Sequence, residues 1–98
     1  MEKDTIFIYL VRGGKVVQDA CKCYEKGKHT YRIFDKRRRM QIVSDGQLGI
    51  CERNRIVSFE DDLPKFRQLL IEDMENRIEM AEQKLNEKKE LLNSIKQY

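Results

Sequence analysis

The sequence predicts an α+β fold: an N-terminal antiparallel β-sheet or small SH3-like barrel of five to six short strands, followed by one long C-terminal α-helix. Three observations carry this expectation. Short β-branched and aromatic runs, spaced about ten residues apart and separated by turn-forming residues, fill positions 5–57. After Pro64 the chain is rich in Glu, Lys, Leu, Gln, Arg and Met and has no Gly or Pro as far as Lys96. The charge also divides at the same place. Residues 1–57 carry thirteen Lys/Arg against seven Asp/Glu, or +6, and residues 58–98 carry seven against ten, or −3. A chain with a net charge of only +3 is thus a basic half joined to an acidic one. We divide it into a β-rich basic domain at 1–58 and a long amphipathic helix, dimerising or docking, at 59–98.

The strands follow in order. Residues 5–12 (TIFIYLVR) are β-branched and aromatic. Gly13-Gly14 accepts positive φ and suits a two-residue hairpin turn, with 15–24 as the return strand. A turn at 25–28 leads to 29–34, where His29, Tyr31 and Ile33 alternate with Thr30, Arg32 and Phe34. Residues 35–39 form the next turn, 40–43 a strand, 44–46 a turn and 48–51 a short strand. Residues 53–55 then lead into Ile56-Val57. Closing such a meander into a barrel would remove its exposed edges, and an open sheet with the helix packed across it is the alternative.

The helix has defined ends and a defined seam. Pro64 belongs in the first turn, where its missing N–H costs nothing, so Asp61 or Asp62 is the expected N-cap. About 34 residues at 1.5 Å each give roughly 50 Å, longer than a small barrel is wide. Leu63, Phe66, Leu69 and Leu70 make a broad apolar face suited to docking on a core. Beyond it, Ile71, Ile78, Leu85 and Leu92 recur every seven residues, with Met74, Ala81 and Ile95, and the polar Lys88, three further on in each heptad. This a/d seam predicts pairing with another helix, as a homodimer. The alternative is a helix folded back on its own sheet.

The chemistry is that of binding, not of catalysis. The chain offers a single histidine, no serine in a Gly-rich elbow, no phosphate-binding Gly-rich loop and no pair of acids in an apolar setting. No cofactor is expected. A zinc site would need Cys21, Cys23, His29 and Cys51, but thiols at i and i+2 of a strand stand parallel, roughly 6.5–7 Å apart, and do not converge on one ion. They read better as small core residues. The basic turn Lys36, Arg37, Arg38 and Arg39, supported by Arg32, Arg53 and Arg55, is the expected binding surface, with Tyr24, Tyr31 and Phe34 interleaved. The first expectation is therefore a protein-interaction module, meeting a protein partner or an acidic surface. The second is DNA or RNA binding through loop 35–39 and the neighbouring cations. The apolar run 6–11 is too short to span a membrane and its flank too acidic for a signal peptide, and the three cysteines are an odd number. A cytoplasmic protein with no membrane role is expected.

Overall fold

The computed structural model describes residues 5–25, 27–34 and 37–97. Five antiparallel strands, β1 (Thr5–Arg12), β2 (Lys15–Glu25), β3 (Thr30–Phe34), β4 (Met40–Ser44) and β5 (Arg55–Ser58), precede one helix, α1 (Leu63–Lys96). The sheet order is β4-β3-β2-β1-β5. It curls because β2 is shared: Lys15–Lys22 pairs with β1, whereas Cys23–Glu25 pairs with β3. The result is a half-barrel. Curling stops short of closure, with β4 and β5 at opposite ends of the strand order.

The β1–β2 hairpin turns as its residues dictate. Arg12 pairs with Lys15, and Gly13 and Gly14 have φ of 63° and 77°, a left-handed pair that an L side chain would strain. The expected strand at 48–51 does not form. Asp45–Gln47 is a 3₁₀ turn, held by the Ser44 N–H donating to Gln47 Oε1 at 2.9 Å. Gly49 then turns left-handed at φ 76° and donates its N–H to the Val57 carbonyl at 2.8 Å. That bond places the segment against β5 without a ladder.

Strand β1 is buried on both faces, so its apolar run is nearly continuous. Ile6 and Ile8 point into the half-barrel with Cys21, Cys23, Ile33, Val43 and Val57, and Tyr31, Leu48 and Phe59 close one end of that core. Tyr9 points the other way and packs with Ile56, Phe66 and Leu70, flanked by Phe7, Val16 and Cys51. Asp62 caps α1, its carboxylate accepting from the Lys65 N–H at 3.1 Å, with Pro64 in the first turn. The dock runs further along α1 than the broad apolar face alone implies. Asp73 accepts a hydrogen bond from the Cys51 thiol, and Arg77 donates to Asn54 Oδ1 at 3.0 Å. Beyond Met74 every described helical residue is exposed, so the distal helix is not folded back on the sheet. The longest dimension of the chain is 66 Å, against 28 and 24 Å across. Among the described residues no helix is long and apolar enough to cross a membrane.

Candidate functional site

The inner face of the sheet changes character along its length. Alternation in β1 sends Ile6, Ile8, Leu10 and Arg12 inward, and in β2 it sends Asp19, Cys21 and Cys23 inward. The end with Tyr31 and Phe59 is apolar, the two rings meeting edge to face at 5.1 Å. The other end is a cavity of about 220 Å³ lined by Ile8, Leu10, Arg12, Asp19, Arg37, Arg39, Gln41 and Arg55. Asp19 is only 4% exposed. A buried carboxylate requires a counter-charge, and Arg12 supplies it, with Nη2 at 3.2 Å and Nη1 at a longer 3.5 Å. Arg12 itself is half in solvent.

Two connections deliver the remaining cations. In the β3–β4 connection Arg38 has φ 58°, a left-handed conformation that costs a non-glycine residue roughly 1 kcal/mol. Its neighbours Arg37 and Arg39 both line the cavity. Between Glu52 and Arg55 the backbone closes in both directions, at 2.9 and 3.0 Å, with Arg53 and Asn54 at φ 52° and 62°. That turn sets Arg55 at the start of β5 on the inner face, beside Val57.

Of the cations expected to bind, the structure therefore gathers Arg37, Arg39 and Arg55. Arg38 is exposed outside the cavity lining. Arg53 lies around the corner, facing a depression shared with Cys51 and Arg77. Arg32 alternates to the outer face of β3, because Tyr31 and Ile33 point inward. Lys36 lies outside the described residues. Sequence reasoning missed Arg12 and Asp19. The available signal was the period of two, which puts Arg12 on the face of Ile6 and Ile8, and an acid at 19 within an apolar strand.

The outer face is different. Tyr24 and Phe34 are exposed and meet edge to face at 5.8 Å, with Lys22 Nζ 5.4 Å from the Tyr24 ring. Tyr31, expected to share this surface, is inside.

The four residues weighed for zinc are dispersed. Cys21 and Cys23 are in the inner core, Cys51 is on the helix side, and His29 is exposed with Nδ1 3.3 Å from an Asp45 carboxylate oxygen. Among the described residues no three His, Cys, Asp or Glu side chains cluster as metal ligands. Partial burial, then the hydrogen bond to Asp73 and that carboxylate's charge, push the Cys51 thiol up, while Arg77 pulls it the other way. The thiol is thus kept protonated as a donor to Asp73 and is a poor nucleophile.

No protein-family model matches this sequence, and no curated protein or solved structure matches it either. The functional reading therefore rests on geometry.

Proposed function

We propose that this chain is a non-catalytic protein-interaction module. In this reading the half-barrel is the recognition platform, and the distal half of α1 pairs with the same helix of a second copy. One observation carries it: Ile78, Leu85, Leu92 and Ile95, spaced as an a/d seam, are 50–61% exposed. A lone helix of about twenty residues is marginal in water without a packed face, and large apolar side chains repeating along one line are what a coiled coil buries.

The flanking charges complement a second copy. The e positions read Glu75, Glu82, Lys89 and Lys96. An antiparallel pair sets Glu75 opposite Lys96 and Glu82 opposite Lys89. It also brings Arg77 toward Lys84, but Arg77 is already offset by Asp73 at 2.9 Å. A parallel pair instead sets Arg77 opposite Glu82, which attracts, and Lys84 opposite Lys89, which repels. Replacing Ile78 and Leu85 together by Asp should convert a dimer to a monomer, since it places four carboxylates in one seam. Light scattering checks this, and a wild-type monomer or an unchanged mass in the variant rejects the seam. Cys21, Cys23 and Cys51 form no disulfide, which suits a reducing compartment, and we take the location as cytoplasmic.

The outer face favours a second reading, single-stranded nucleic acid. Exposed Tyr24 and Phe34 would stack bases, and Lys22 and Arg32 on the same face would track phosphates. Anisotropy of labelled single-stranded DNA and RNA across a salt series checks it. Binding that weakens steeply with salt and is lost in Tyr24→Ala/Phe34→Ala supports it, and no binding at low salt rejects it.

A further inference from the structure

The geometry points to the arginine-lined cavity as a site for one phosphate monoester, carried on a phosphorylated serine of a protein partner. It deepens the interaction-module reading, on which only the choice of a protein carrier rests.

Four guanidinium groups and one carboxylate line the cavity: Arg12 from the end of β1, Arg37 and Arg39 from the β3–β4 connection, Arg55 from the start of β5, and Asp19 from β2. Residues 43 positions apart in sequence, Arg12 and Arg55, are brought to one wall by the pairing of β1 with β5. Asp19 holds Arg12 by both terminal nitrogens. That fixes one fork in advance, and four of the five charged residues of the lining are cations. A phosphate monoester presents three acceptor oxygens and nearly two negative charges. Several planar guanidinium forks suit it better than they suit a carboxylate with two oxygens. The apolar floor, Ile8 and Leu10, lowers the local dielectric and strengthens each contact.

Size and surroundings choose the carrier. A cavity of about 220 Å³ is smaller than the roughly 300–1,000 Å³ that encloses a whole small ligand, so it takes a group rather than a cofactor. Next to it, and sharing Arg55, is a smaller depression lined by Ile42 and Val43 of β4 and Val57 of β5, with Ile50, Gln47 and Glu52. Apolar walls suit the side chain that follows a phosphoserine. Glu52 disfavours a second phosphate.

The test uses the full chain and three probes in calorimetric titration: a short phosphoserine-leucine peptide with its unphosphorylated twin, inorganic phosphate, and oligothymidylate with either a 5′-phosphate or a 5′-hydroxyl. The phosphopeptide should bind at least about tenfold more tightly than its twin, the effect of one lost charge-assisted bidentate contact. Inorganic phosphate should compete with it. Arg39→Ala, and separately Arg55→Lys, which keeps the charge but loses the fork, should each weaken it by about tenfold or more. The melting temperature should stay close to wild type in both, because Arg39 is an exposed charge and Arg55→Lys keeps both the charge and the aliphatic stem of a half-buried side chain. Equal binding of phosphorylated and unphosphorylated peptide, displacement of the phosphopeptide by the oligonucleotide regardless of its 5′ group, or no binding of the phosphopeptide overturns the site. Light scattering reads dimerisation separately, so the seam and the cavity can fail independently.

Discussion

Phe66→Ala should destabilise the chain by about 3–5 kcal/mol, a large share of the roughly 5–15 kcal/mol that holds a small domain folded. Phe66 is almost wholly buried, its ring 4.5 Å from that of Tyr9 at 31°, and among the described residues Tyr9, Ile56, Phe66 and Leu70 are the buried side chains packed between sheet and helix. Removing the ring leaves a cavity under the first turns of α1, which the short β5 has little freedom to fill. Denaturant unfolding at fixed protein concentration measures the change, because any dimer makes apparent stability concentration-dependent. The melting temperature should fall by on the order of 15–25 °C. The exposed neighbour Arg67, replaced by Ala, should change stability by no more than about 0.5 kcal/mol. A loss in Phe66→Ala no larger than that of Arg67→Ala would mean the helix does not dock here.

Tyr9→Phe should cost about 2 kcal/mol although it removes a single oxygen. The Tyr9 hydroxyl is where the sheet meets the start of the helix. It donates to the Glu60 carbonyl and accepts from the Asp62 N–H and from Gln18 Nε2, each at 3.0 Å. Gln18 in turn reaches Asp61 Oδ1 at 2.7 Å. These bonds hold the bend at residues 60–62, and Asp62 is the N-cap, so the hydroxyl sets the direction in which α1 leaves the sheet. Without it, a backbone carbonyl and a backbone N–H at the edge of the core lose their partner. Hydrogen exchange should accelerate at Asp62 and Lys65 more than at Leu70 and beyond, and unfolding should begin at lower denaturant. An unchanged midpoint with unchanged exchange at the cap would show that solvent replaces the hydroxyl at no cost.

Much of the architecture was legible in local chemistry. Gly13-Gly14 forced the first hairpin, and Pro64 with Asp62 marked where the helix begins. The composition of residues 65–96 left no reason for the helix to stop early. The spacing of Ile78, Leu85 and Leu92 identified the apolar line that α1 exposes. What failed was also local: 48–51 looked like a strand by composition, but Gly49 takes a left-handed conformation and the Ser44–Gln47 pairing holds a 3₁₀ turn. A four-residue run is too short for propensity to outweigh such turn chemistry.

Sequence by itself determined the five strands and the helix, the basic and acidic halves, the helix start and the heptad spacing of apolar residues along α1, because each depends on residues close together in the chain. The tertiary structure alone decided which charges meet. The basic run was conspicuous as a block, yet strand alternation sent Arg32 outside, and the left-handed Arg38 separates two cavity-lining neighbours. Arg12 and Asp19 drew no notice as single charges in strands, until the hairpin register brought them within 3.2 Å and the β1–β5 pairing set Arg55 beside them. Which face a residue takes follows from a period of two. Which distant residues share that face follows from how far the sheet curls, and the curl is set by β2 pairing with β1 along one part of its length and with β3 along another.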